Sequence, residues 1–83
     1  SGGLIASDMN WIAFEKLESP IKAMAKIRYS AKESEAVISP MGDNKVRVDF
    51  TCPQRAVTPG QAVVFYDGDT VLGGGVIEQQ ING

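Results

Sequence analysis

From Ile21 the side chains change character at every residue. Ile21, Ala23, Ala25, Ile27 and Tyr29 stand on one side of the backbone, and Lys22, Met24, Lys26 and Arg28 on the other. A helix would scatter both sets around its circumference, whereas a strand sends successive side chains to opposite faces. The pattern therefore predicts a strand with an apolar face and a basic reverse. The same period returns at Val46, Val48 and Phe50, which alternate with Lys45, Arg47 and Asp49. No apolar stripe at helical spacing runs through the chain, so the fold it specifies is built from sheet.

Turn residues divide the rest into short strands. Ala36 to Ser39 reads as a strand stopped by Pro40, with Met41, Gly42, Asp43 and Asn44 turning the chain into Lys45. Thr51 to Gln61 reads as a structured loop with a tight turn at Pro59 and Gly60. Ala62 to Tyr66 reads as a buried strand, Asp67 to Asp69 as a hairpin turn and Val71 to Glu78 as the returning strand. Gly73, Gly74 and Gly75 lie inside that last strand, where they predict a bulge or a close backbone approach. Trp11 and Ile12 suggest another short strand, and Phe14 to Ser19 hints at one helical turn. About six short strands without intervening helices predict an all-β domain, a sandwich or, preferably, a small closed antiparallel barrel, because closure removes unpaired edges. Residues 4–83 read as one such domain, with Ser1 to Gly3 as a tag remnant or linker.

Composition narrows the function. The 83 residues carry no histidine and one cysteine, Cys52, at a net charge of −2. The commonest general base and metal ligand is therefore missing and no internal disulfide can form, which argues against catalysis and against a metal centre in this chain. The longest apolar run, Ala62 to Tyr66, is far too short to span a bilayer, and no signal peptide opens the sequence, so the expectation is a soluble, unexported protein. Gly73 to Gly75 read as packing glycines in preference to a phosphate cradle, since no helix follows them. Asp67 and Asp69 read as turn residues in preference to paired carboxylates. Trp11 and Tyr29 read as packing residues in preference to base-stacking platforms. Two groups remain as candidates for binding. Lys22, Lys26 and Arg28 share one strand face, joined by Arg47 on the charged side of its own strand; such cations hold phosphates or, equally, form a solvated outer face neutralised by Glu33, Glu35 or Asp49. Gln54 and Arg55 open the segment Gln54 to Gln61, where the planar fork of Arg55 suits phosphate or, as a structural arginine, loop carbonyls or an acidic side chain such as Asp67.

The segment RAVTPGQAVVFYDGDTVLGGGVIE, Arg55 to Glu78, with NWI at Asn10 to Ile12 and KIRY at Lys26 to Tyr29, resembles the carboxyl-terminal part of the tRNA-specific 2-thiouridylase family, MnmA. The resemblance covers Leu4 to Glu78 in order. It implies a barrel like those of translation factors, carried by an enzyme that also has a pyrophosphatase-type catalytic domain and a small central domain. It further implies a cytoplasmic parent that thiolates the wobble uridine of tRNA with ATP, Mg²⁺ and persulfide sulfur from a sulfur-relay donor protein. The family's phosphate-binding motif also opens Ser-Gly-Gly, but here Leu4, Ile5 and Ala6 follow Ser1, Gly2 and Gly3, so that motif is absent. Its working cysteines lie in the earlier domains and do not match Cys52. On this resemblance the fragment is not catalytic and holds no cofactor of its own. It grips the anticodon arm of tRNA through Lys22, Lys26, Arg28, Arg47, Gln54 and Arg55, or it serves as a docking module for the other domains of its chain without touching RNA.

Overall fold

The computed structural model describes residues 2–27, 32–54 and 57–81. Six strands occur in it: β1 (Gly3–Trp11), β2 (Ile21–Ile27), β3 (Ser34–Gly42), β4 (Lys45–Phe50), β5 (Ala62–Asp67) and β6 (Thr70–Ile81). They close into an antiparallel barrel in the order β1-β4-β3-β2-β5-β6, with β6 returning to β1. The all-β closed barrel expected from the alternation is the fold.

Alternation supplies the interior. Ala23, Ala25 and Ile27 of β2, Val46, Val48 and Phe50 of β4, and Val63 and Phe65 of β5 all turn inward and are buried. Six strands enclose little space, and small and large residues share it: Ala6, Ala25 and Ala36 leave room for Leu4, Ile38 and the fully buried Phe65. Trp11 and the partly buried Phe14 cover one end, with ring centroids 5.0 Å apart and Trp11 also stacked at 6.2 Å on Phe65. Residues Ile12 to Glu15 form bends, so the helical turn expected at Phe14 to Ser19 is not formed. Backbone N–H groups of Ile12 and Ala13 instead donate to the Leu72 carbonyl, at 2.8 and 3.2 Å, which spends them outside any helical ladder.

Two strands depart from the sequence reading. β1 is nine residues long, not a Trp11–Ile12 fragment. Its period breaks in the middle: Leu4 and Ala6 point inward, then Asp8 takes a positive φ of 51° and Met9 becomes the next buried residue. That bulge, a register shift between Ser7 and Asn10 against β6, hides the strand from a strict two-residue count. Pairing starts early, since Gly2 donates to the Ile81 carbonyl at 3.0 Å and accepts from Phe50 at 2.9 Å. Pro40 does not stop β3, which runs on to Gly42 with Pro40 opposite Val46. Ile38 is the last β3 residue paired with β2, so Pro40 has a neighbour on one side only and its missing N–H costs no ladder bond there.

The turns follow their residue chemistry. Asp43 and Asn44 both have positive φ, 53° and 58°, as the type I′ turn of a two-residue hairpin requires at both central positions. Gly68 has positive φ alone in the β5–β6 hairpin, the requirement of the II′ turn. Pro59 and Gly60, φ 92°, form a turn closed by Gln61 N–H donating to the Thr58 carbonyl at 3.3 Å. The three glycines of β6 are needed for proximity, as expected. A Cβ on Gly73 would sit 2.6 Å from the Asn10 carbonyl oxygen, and one on Gly74 2.8 Å from that of Val63.

Candidate nucleic-acid interface

Because the interior faces of all six strands are filled, any site lies on the outer wall, in the end loops or in the turns. β2 presents Lys22, Met24 and Lys26 outward, with Lys22 exposed and Met24 and Lys26 half-buried. Neither lysine forms an ion pair with a described residue. They share one strand, four residues apart, a span of about 13 Å at strand rise. Arg28, the third cation of that face, lies outside the described residues.

Arg47 stands elsewhere. β3 separates its strand from β2, and its Nε donates to both carboxylate oxygens of Asp49, at 3.1 and 3.3 Å. The pair is about half exposed, where such bridges contribute little, roughly 0.2–1 kcal/mol, and can be exchanged for a phosphate. Asp49 faces Val37, which in turn faces Lys22, so a carboxylate interrupts the cationic surface between Arg47 and β2. Glu35 lies opposite Met24, and its carboxylate accepts from the Thr51 hydroxyl at 3.1 Å. Lys45 reaches across β1 to Glu78 at 3.1 Å. The structure thus brings Lys22 and Lys26 together, and it separates Arg47 from them.

Gln54 is half-buried in the loop after β4, and its Nε2 donates to the Cys52 carbonyl at 2.8 Å. Arg55 lies outside the described residues, as does Tyr29. Cys52 is a free, exposed thiol. No group of three or more histidine, cysteine, aspartate or glutamate side chains suited to a metal ion occurs among the described residues.

One residue on this wall escaped the sequence reading. Ala62 to Tyr66 looks like a strand buried on both sides, yet only Val63 and Phe65 are buried, while Ala62, Val64 and Tyr66 are half-buried and face outward. Closure was the signal that could have found them, since every strand of a barrel has an outer face, whatever its composition. Tyr66 pairs directly with Met24, between Lys22 and Lys26 along the adjacent strand.

What these elements define is a small closed antiparallel β-barrel domain with a mixed aromatic and cationic strip on its β2–β5 wall. Residues 1–77 match the family described as the aminomethyltransferase beta-barrel domain, and the chain belongs to that family. It is 64% identical over 78 residues to tRNA-specific 2-thiouridylase MnmA 1 of Caldanaerobacter subterraneus subsp. tengcongensis, a match covering 94% of this chain and 21% of the relative. It is 63% identical over 81 residues to tRNA-specific 2-thiouridylase MnmA of Symbiobacterium thermophilum, covering 98% of this chain and 21% of that protein. Over 75 residues it is 65% identical to the MnmA of Acetivibrio thermocellus, covering 90% and 21%. The chain spans about a fifth of the length of these curated relatives. The resemblance to the MnmA barrel domain drawn from the sequence is borne out.

Proposed function

We propose that this barrel is the tRNA-positioning domain of a tRNA 2-thiouridylase, and that the outer face of β2 makes the contact. The observation that carries this reading is the pair Lys22 and Lys26, projecting from one strand of a domain with net charge −2 and forming no ion pair with a described carboxylate. Lysines held by salt bridges are poor phosphate ligands until the bridge opens, whereas these two need no such exchange. The names of the relatives supply the substrate class, tRNA.

The mechanism is positional. A rigid wall that holds phosphates fixes register and orientation, and it thereby converts an encounter with tRNA into a productive arrangement at a distant reacting base. Chemistry falls to the other domains of the parent chain, with ATP, Mg²⁺ and a sulfur-relay donor as their co-reactants, in the cytoplasm where tRNA is modified. No helix among the described residues is long and apolar enough to cross a membrane. Gln54 lies at the same barrel end as Ile27 and extends the contact beyond β2. The barrel alone binds weakly, since few cations act, and gains affinity when tethered to further RNA-binding surfaces.

The test is the double reversal Lys22→Glu with Lys26→Glu in the full-length protein, with tRNA affinity followed against salt. Removing one lysine–phosphate pair flattens the logarithmic salt dependence by roughly 0.7–0.9. Unchanged affinity and slope, with the fold retained, would instead support a docking module that touches no RNA.

A further inference from the structure

The concavity between β2 and β5 has features that phosphate binding does not use. It is lined by Lys26, Ala62, Val64 and Tyr66 and has a volume of about 290 Å³. No carboxylate is among its described lining residues. Its floor is apolar, one wall is an aromatic ring and its rim carries one ammonium group. Tyr66 also borders a second concavity on its other side, with Lys22, Met24 and the carboxylates Glu35 and Asp67, so the ring stands as a partition with a lysine to either side. Among the described residues, none forms a hydrogen bond or ring contact with the Tyr66 side chain. A half-buried aromatic residue on an outer wall, flanked by two cations along the neighbouring strand, has the composition of a base-stacking platform. The volume lies near the lower bound of small-ligand sites, about 300–1,000 Å³, which suits one ring system and not a folded segment of protein.

We propose that this concavity receives a single unpaired base of the tRNA, stacked on Tyr66, with the adjoining phosphate held by Lys26. The inference rests on the tRNA-positioning reading above and names the residue that adds to it an interaction independent of charge. Ala62 and Val64 exclude water from the base edge. With no fixed donor or acceptor among the described lining side chains apart from Lys26 and the Tyr66 hydroxyl, the site accepts bases by their ring faces and discriminates little among them. The β2–β5 pairing at Met24–Tyr66 and Lys26–Val64 fixes the spacing of ring and ammonium.

The experiment measures binding of full-length tRNA by the full-length protein, using fluorescence anisotropy across a salt series, for Tyr66→Phe, Tyr66→Leu, Tyr66→Ala and Lys26→Ala. Circular dichroism and thermal melting establish folding for each variant, and Tyr66→Leu keeps apolar bulk should the alanine variant fail to fold. Tyr66→Phe is expected to bind like the parent. Loss of the ring in Tyr66→Leu or Tyr66→Ala weakens binding about 5- to 150-fold, the effect of one stacked base, with the salt slope unchanged. Lys26→Ala weakens binding and flattens the slope by roughly 0.7–0.9. Parent-like affinity in a folded Tyr66→Leu variant overturns the base site. If the Lys22→Glu, Lys26→Glu double variant still loses affinity in that case, the positioning function stands without it; if it does not, both fall. A folded Tyr66→Leu variant that keeps its tRNA affinity but lowers the melting point of the rest of the chain assigns this wall to another domain and also overturns the base site.

Discussion

Replacing Gly73 with alanine tests how the barrel is closed. Gly73 of β6 lies opposite Trp11 of β1, and a Cβ there would stand 2.6 Å from the Asn10 carbonyl oxygen, 2.8 Å from Trp11 Cε3 and 3.0 Å from Trp11 Cα. Two of these three atoms are backbone, and the indole is held between Phe14 and Phe65, so the strand pair must part. Overpacking of this kind costs about 1–3 kcal/mol. Weakening of the nearby Ile12 N–H to Leu72 carbonyl bond, 2.8 Å long, adds about 0.5–1.5 kcal/mol. Lower entropy of the unfolded chain returns about 0.4–1 kcal/mol. The net loss spans about 0.5–4 kcal/mol and centres slightly above 2 kcal/mol, a large share of the roughly 4–12 kcal/mol expected for a domain of this size. In a thermal melt followed by circular dichroism, the midpoint should fall by about 10–20 °C. Gly60 is the comparator: open space surrounds its would-be Cβ and only its φ of 92° opposes substitution, so Gly60→Ala should cost about 1–2 kcal/mol. A Gly73→Ala midpoint within about 2 °C of the parent would refute the proximity argument.

Other substitutions read separate parts of the fold. Asn44→Gly retains the positive φ but loses the Asn44 Nδ2 bond to the Met9 carbonyl, 2.9 Å, which ties the β3–β4 turn to the β1 bulge; denaturant unfolding should show a loss of about 1 kcal/mol. Asn44→Ala adds backbone strain and should lose about 1–2 kcal/mol more. Phe65→Ala empties the centre of the barrel, where that ring is fully buried, and should lower stability by about 3–5 kcal/mol in the same assay. Arg47→Ala removes only a half-exposed ion pair and should change stability by less than about 1 kcal/mol, while any loss of tRNA affinity would show that phosphate displaces Asp49.

Much of this fold is legible without coordinates, and the parts that are not share a cause. β2 and β4 keep strict alternation and emerge as strands with the right face inward. Asp-Asn, Asp-Gly and Pro-Gly turns emerge because each satisfies a torsion that few other residues accept. β1 is obscured since a bulge at Asp8 shifts its inward set from Leu4 and Ala6 to Met9, and a count of alternate positions sees only noise. Pro40 misleads for a similar reason: whether proline ends a strand depends on whether a neighbour needs its N–H, a property of the sheet order. On the site, the shared face of Lys22 and Lys26 follows from local period alone. The engagement of Arg47 by Asp49 lies two residues away on the same face and was open to the same reasoning. Tyr66 was not, because its strand is apolar throughout and only closure turns alternate residues outward.

Photocross-linking of tRNA to the full-length protein, followed by mass spectrometry of the attached peptides, addresses the positioning role most directly. Adducts on Lys22, Lys26 or Tyr66, abolished when excess unlabelled tRNA competes, are the result this account predicts. Efficient cross-linking confined to other domains, with β2 and β5 unmodified, would contradict it.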